Sequence, residues 1–388
     1  MFCRIRPLRT VRSVLVLGLL SAAALAQAAD LKVGVILPLS GPVAAQGLSD
    51  AKGIKAGMKF QDTVNGHKIT VIQLDDASDP SVSARNARKL TDQDHVDVLI
   101  GTGGVPGAMA IAAVAHEAKT PLVSFTPLSV TGDAADWAKT TTQSAQTMIS
   151  AVVGHMKRAG VKTVGYIGFS DSWGDLAYES LKKSADAAGI KIVANERYAR
   201  SDNSVTGQVL KIMAARPDAV LGGTAGTAGA LPYIALRDRG YKGAIYGTHG
   251  VLGPEFVRLV GAAGQGLIVP TGPALVGDQL PDSNPSKTIT ASYRKAYQEV
   301  NGEPPSDVFS AYAFDAWLVV ARAAAKVPAK LEPGTQAYRA ALRDAIAATR
   351  DLPATEGVLT YQPGTPYGTD EHSVVIVKLD QSKWVLLP

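Results

Sequence analysis

Short runs rich in Val, Ile and Leu recur along this chain, each followed by a turn and then by apolar residues at helical spacing. That alternation leaves few folds open. Short buried strands joined by crossover helices assemble into a parallel, doubly wound α/β sheet. The first such unit is Leu31–Gly53. Its apolar run stops at Pro38, Leu39-Ser40-Gly41-Pro42 makes a turn, and Ala51, Ile54 and Met58 then share a helical face. In open α/β sheets ligands bind beyond the carboxyl ends of strands, so this turn is a candidate wall of a binding site.

The same grammar continues. Asn65-Gly66 signals a tight turn before a strand at Lys68–Leu74, and Asp79-Pro80 reads as a helix N-cap followed by proline in the first turn. Val96–Ile100 is a third strand, Thr102–Gly107 a glycine-rich loop, Ala108–Lys119 a helix and Pro121–Phe125 a fourth strand. After a polar stretch at Thr140–Met148 the pattern restarts. Strands are expected at Thr163–Phe169, Lys191–Arg197, Ala219–Gly222 and Ala244–Gly247, with helices between them. Two successive α/β halves imply two lobes. Pro270–Pro285 reads as a connector, three long helical segments follow, and Ser373–Leu379 with Trp384–Leu387 form a closing hairpin.

Charge bears on export and on partners. The formal net charge of +5 includes Arg4, Arg6, Arg9 and Arg12, which precede the apolar run Val14–Leu25 and Ala26-Gln27-Ala28. A basic start, a short apolar middle and an A-x-A site make residues 1–28 a secretory signal peptide cleaved near Ala28. Its removal leaves 35 basic against 34 acidic residues, which excludes a nucleic-acid footprint. Cys3, the only cysteine, departs with it, so a disulfide, a thiol nucleophile and a thiolate metal site are excluded.

The opening Ile36–Gly47, Leu74-Asp75-Asp76 with Asp79-Pro80, Val96–Gly101, Pro121–Pro127, Phe169–Asp175, Pro217–Val220 and Thr248–Val251 stand in a specific order and spacing. In these features the chain resembles bacterial periplasmic receptors of the leucine/isoleucine/valine-binding type, the solute-binding components of ABC importers. The resemblance spans essentially the whole mature chain. It implies a type I periplasmic binding protein fold with three crossings between lobes. The expected lobe 1 takes residues 29–146 and 273–355, and the expected lobe 2 takes residues 147–272 and 356–388. It further implies a periplasmic monomer with no cofactor, a small-molecule solute, and an ABC permease with its ATPase as partners.

Within Gly101–Gly107, glycines and a following helix N-terminus suit a carboxylate, and a tight strand–helix turn is the plainer role. The resembled family uses a loop serine here. This chain has Val105, so Gly104, Val105 and Pro106 would act through their backbone, with Gln46 at the edge. By the same resemblance Ser129 and Thr131 would add hydroxyl contacts, unless they serve as helix caps. In the second lobe the candidates are Trp173, where the family carries tyrosine, together with Thr224 and His249. Relatives that take α-amino acids place an acid near position 249. A neutral histidine cannot balance a buried ammonium, which points to a carboxylate or phenolic oxygen, and Trp173 with His249 resembles the aromatic-acid branch. Branched-chain amino acids or amides remain the alternative solutes. No H-E-x-x-H, EF-hand or G-x-S-x-G pattern occurs, and an exported hydrolase built on Ser170, Asp171 and His249 is the alternative class.

Overall fold

Every parallel strand but the last in each sheet is followed by a helix that starts three to nine residues later. The computed structural model describes residues 1–3 and 29–387, so the expected leader at 4–28 lies outside the described residues.

The first sheet takes β1 (Leu31–Leu37), β2 (Thr63–Val64), β3 (His67–Asp75), β4 (Val98–Gly101), β5 (Leu122–Ser124) and β6 (Ala138–Thr140) in the order β2-β3-β1-β4-β5-β6. All pairs are parallel except β2–β3. That hairpin is the Asn65-Gly66 turn, with both residues at positive φ as its geometry requires. Helices α1 (Ala44–Phe60), α2 (Pro80–Arg88), α3 (Val105–Glu117) and the short α4 (Asp133–Trp137) connect the strands. Asp79 caps α2 as its sequence suggested, accepting from Ser81 N at 2.7 Å and Val82 N at 3.0 Å.

The second sheet repeats the plan. β7 (Thr163–Phe169), β8 (Lys191–Tyr198), β9 (Ala219–Gly223), β10 (Ala244–Gly247) and β11 (Ile268–Thr271) run parallel in the order β8-β7-β9-β10-β11. Helices α5 (Ala145–Arg158), α6 (Ser172–Ala188), α7 (Thr206–Ala214), α8 (Leu231–Asp238) and α9 (Pro254–Val260) accompany it. The late helices α10 (Lys287–Asn301), α11 (Phe309–Ala324) and α12 (Gln336–Ala347) return to the first lobe, with α10 and α11 against α1. A small hairpin, β12 (Leu352–Ala354) and β13 (Gly357–Leu359), follows. The antiparallel β14 (Val375–Asp380) and β15 (Lys383–Leu386) then close the second sheet.

Three passages therefore join the two parallel-sheet lobes. The last falls later than the expected residue 356, because Tyr367 still bridges Thr140 of β6 and the Tyr361 hydroxyl donates to Thr140 O. The strands β2, β6, β11, β12 and β13 were not expected, and β11 takes the start of the expected connector. Each has only two to four residues, too few to show a period.

Helix α11 is buried on every side except at Arg322, which explains an apolar run without amphipathic relief. Its contact with α1 depends on two glycines. A Cβ on Gly53 would overlap Ser310 O, and one on Gly57 would press on the Trp317 ring, whose Nε1 donates to Gln61 O at 2.9 Å. Overpacking such a contact costs about 1–3 kcal/mol. Gly53→Ala is therefore expected to lose that much stability in denaturant unfolding while Lys55→Ala, on the exposed face, loses less than about 0.5 kcal/mol.

Candidate functional site: the interlobe cavity

The carboxyl ends of six parallel strands point into the space between the lobes. Gly103–Val105 follow β4, Phe125–Pro127 follow β5, Trp173 follows β7, Arg200 follows β8, Ala225 follows β9 and His249-Gly250 follow β10. With Gln46 of α1 and with Phe309 and Tyr312 of α11, they line a cavity open to solvent, its empty space about 400 Å³ with that solvent included. A second open space of about 320 Å³, counted the same way, adjoins it across Gly104 and Arg200, and a wider outer one of about 970 Å³ adjoins it across Gln46 and Phe309.

On the first-lobe side, Gly104 caps α3 in an extended conformation, with Val105 and Pro106 beginning the helix. The first-turn N–H groups of Val105 and Gly107 have no partner within the helix, and the macrodipole adds positive potential there. The neighbouring turn is pinned by hydroxyls. Ser124 Oγ and Thr140 Oγ1 donate to Thr126 O at 2.9 and 3.0 Å, and Thr126 Oγ1 donates to Thr102 O.

On the second-lobe side, Asp171 does two jobs. Its Oδ1 caps α6 by accepting from Trp173 N at 3.0 Å and Gly174 N at 3.1 Å, which fixes Trp173 in the first turn. Its Oδ2 accepts from Arg200 Nε at 2.6 Å. The guanidinium also sits 4.1 Å from the Phe169 ring centre. Its terminal N–H groups make no hydrogen bond among the described residues, and Arg200 is the only fully charged side chain lining the central cavity. The indole Nε1 of Trp173 and the Thr248 hydroxyl both donate to Thr224 O, at 3.3 and 2.7 Å.

Trp173, His249 and Tyr312 form a row of edge-on rings, 5.5 and 6.1 Å between successive centroids, that reaches from one lobe to the other. Burial holds the His249 imidazole at about 4, well below its ordinary value, so it is neutral near pH 7. Its Nδ1 is buried without a partner, as is Gln46 Oε1. Among the described residues no carboxylate lines this cavity.

Of the residues expected from sequence, Gln46, Gly104, Val105, Trp173 and His249 meet here. Pro106 lines the adjoining cavity instead. Thr224 is wholly buried, and its carbonyl supports Trp173 and Thr248 while its own side chain stays out of the lining. Ser129 and Thr131 are exposed and outside the cavity. β5 ends at Ser124, so Phe125, Thr126 and Pro127 already occupy the strand's carboxyl end. Leu128 is then tied to Tyr367, its N–H donating to the Tyr367 hydroxyl oxygen at 3.1 Å and its O accepting from that hydroxyl at 2.8 Å.

Sequence reasoning missed Arg200, Phe309 and Tyr312. Arg200 had a usable signal, its place just past a strand end in Tyr198-Ala199-Arg200. The two α11 aromatics had none, since they stand in a largely apolar run whose residues all read as core.

Residues 30–383 match the periplasmic binding protein family. The chain is 25% identical over 368 residues to the Leu/Ile/Val-binding protein BraC3 of Rhizobium johnstonii, covering 91% of this chain and 93% of that one. An extracellular ligand-binding receptor from Rhodopseudomonas palustris is 37% identical, with a TM-score of 0.89 over 93% of this chain and all of that one. The branched-chain amino acid substrate-binding protein LivJ of Streptococcus pneumoniae, solved with isoleucine, shares the fold at a TM-score of 0.76 and 19% identity, covering 92% of this chain and 99% of that one.

The neutral His249 has a measurable cost in acid. Its folded value lies below the unfolded one, so stability is fully present above about pH 6.5 and is lost as pH falls toward about 4. Thermal unfolding of His249→Phe is expected to show a shallower acid decline than the parent across that window, the difference reaching about 3 kcal/mol.

Proposed function

The chain belongs to the periplasmic binding protein family, and from that premise we propose that it captures a small carboxylate-bearing solute, of the aromatic or apolar acid class, in the interlobe cavity. Its relatives are solute-binding proteins rather than enzymes, and the family serves as the solute-binding component of ABC importers. Delivery to a permease with its ATPase is the proposed fate of the solute, and the closing of the lobes around it the proposed means. A periplasmic monomer is the proposed form. Among the described residues no helix is long and apolar enough to cross a membrane.

One observation supports an acid above other solutes: the central cavity carries one guanidinium, a helix N-terminus and a neutral imidazole, and no carboxylate. The carboxylate would lie between Arg200 and the start of α3, where charge-assisted hydrogen bonds replace its hydration. Phe125, Trp173, Phe309 and Tyr312 supply flat apolar walls for the rest of the molecule. Gln46, Val105 and His249 border it, and the proposed role of Thr224 is to hold Trp173.

The names of the relatives favour a second reading, a branched-chain α-amino acid. The ammonium of such a solute would meet the neutral His249 and no acid in the lining, which counts against it here.

A ligand that binds only the folded state raises the unfolding temperature. In a thermal-shift panel of the refolded mature chain, benzoate and 4-hydroxycinnamate are expected to stabilise, and leucine, isoleucine, valine and benzamide are not. Arg200→Gln is expected to weaken the acids by about 10- to 100-fold, the worth of a hydrogen bond to a charged group. A shift with leucine and none with the acids would overturn the acid reading and favour the amino acid.

A further inference from the structure

Among the described residues, four buried side-chain polar atoms without a partner lie at or behind the cavity: Gln46 Oε1 and His249 Nδ1 on residues that line it from opposite lobes, and both oxygens of Asp50. Asp50 is the unexplained member. It is wholly buried on α1, one helical turn after Gln46, and does not itself line the cavity. It stands behind the glycine loop. A Cβ built on Gly103 would lie 2.8 Å from Asp50 Oδ2 and 3.5 Å from Gln46 Cγ, so the carboxyl packs directly on the backbone that faces the solute space.

Its surroundings offer nothing to stabilise a negative charge. The charged groups that bear on it are Asp307, just ahead of α11, and Asp76, at the end of β3, both acids. Asp307 already accepts from Ser49, from Ser310 N and from Ser310 Oγ, and Asp76 from Ser83 Oγ, Thr102 Oγ1 and Ser78 N. From α10, Tyr293 and Tyr297 border Asp307 and are themselves kept neutral by burial. On α1, Lys52 turns away to Glu303. The glycine loop brings no titratable group. An isolated buried carboxylate with no donor is far costlier than the neutral acid.

We propose that Asp50 is a positioning residue held as the neutral acid behind the glycine loop, and that capture of an anionic solute is coupled to retention of its proton. This rests on the acid reading of the cavity. An ionised Asp50 would repel a carboxylate seated on the other side of Gly103, whereas the neutral acid leaves the α3 N-terminus and Arg200 unopposed. Burial and the two neighbouring acids raise the carboxyl well above its ordinary range, which agrees with that state. When the solute arrives at a pH where Asp50 is partly ionised, one proton passes from solvent to its carboxylate, and no other bond changes. The linkage makes the site a filter: it favours anions at low pH and loses them as pH rises.

The test has two arms on the full mature chain. In the first, unfolding temperature is followed without solute from about pH 5 to about pH 9 for the parent and Asp50→Asn. Because the folded value lies above the unfolded one, the parent is expected to lose stability relative to the variant as pH rises, and parallel curves would overturn the neutral acid. Should that variant not fold, Asp50→Ser replaces it, and the parent-minus-variant infrared difference separates the Asp50 carboxyl band from those of Asp315 and Glu356: a band present at neutral pH and bleached in alkali is expected, and its absence would overturn the neutral acid. With Asp307→Asn as the background of the same difference, that bleaching is expected to move to lower pH.

In the second arm benzoate is titrated over the same range, where it stays ionised. The parent is expected to lose up to about tenfold in affinity per pH unit above the Asp50 transition, and Asp50→Asn is expected to be flat. A flat parent, or an affinity for leucine that rises with pH and vanishes in Asp50→Asn, would overturn the coupling. Failure of benzoate to bind at any pH would overturn the acid reading and the coupling with it, while the first arm still decides whether Asp50 is neutral.

Discussion

A buried amide ties together the passages that join the two lobes. Gln143 lies in the first passage between the sheets, with no exposure. Its Nε2 donates to Glu356 O at 2.8 Å and to Ser373 O at 2.9 Å, and its Oε1 accepts from the Tyr312 hydroxyl at 2.8 Å. Those partners come from the β12–β13 turn, the third passage and α11. The second passage joins them at Gly272, where a Cβ would overlap Glu356 Oε2 and lie 2.8 Å from Gln143 Nε2. Nearby Asp315 of α11 accepts from Thr355 N at 2.8 Å and Glu356 N at 3.0 Å. Loss of the amide would strand several buried polar groups at once, so the knot is cooperative. Tyr312 also lines the cavity, so the ring that touches the solute space is bonded to the joint on which the lobes would turn.

Burial also sets the charge of the joint and of the cavity wall. Asp315 is pushed up to about 7 and Glu356 well above its ordinary range, and desolvation is the main cause in both. His249 is shifted the other way by the same desolvation. Burial thus favours the neutral form of these groups, while Asp171 and the Phe169 face hold the Arg200 guanidinium at the cavity edge. That asymmetry gives the cavity a preferred sign. Had the fold placed an ionised acid at position 249, the preference would reverse, and an ammonium would gain what a carboxylate gains here.

Much of the fold was legible because its signals are local. A run such as Val33–Leu37 has few alternatives to a buried parallel strand, and Asp79-Pro80 announces its helix within two residues. The site was legible only where a residue follows directly from a strand end, as Trp173, His249 and Gly104 do. Ser129 and Thr131 misled because hydroxyls after a strand suggest ligand contacts, whereas here the hydroxyls of Ser124, Thr126 and Thr140 spend their hydrogen bonds on holding the turn. Phe309 and Tyr312 were invisible for a different reason. Their side chains reach the cavity through a helix that joins the first lobe from far along the chain, and no local pattern encodes that packing.

The repeated strand order explains why a cavity arises at all. With β3-β1-β4-β5-β6 in one lobe and β8-β7-β9-β10-β11 in the other, equivalent strands of both lobes send their carboxyl ends into the shared gap. Helix starts such as those of α3 and α6 come with them, and so do their unpaired N–H groups and caps. The two lobes then diverge in what they put there. The first supplies backbone at the polar end, through Gly103, Gly104 and a turn fixed by hydroxyls, and apolar rings through Phe125, Phe309 and Tyr312. The second supplies side chains, through Trp173, Arg200 and His249, each locked by a neighbour's carbonyl, carboxylate or ring. A rigid backbone cradle facing preorganised side chains limits the ordering entropy that binding must overcome. What remains to be ordered is the angle between lobes, and that angle runs through Gln143.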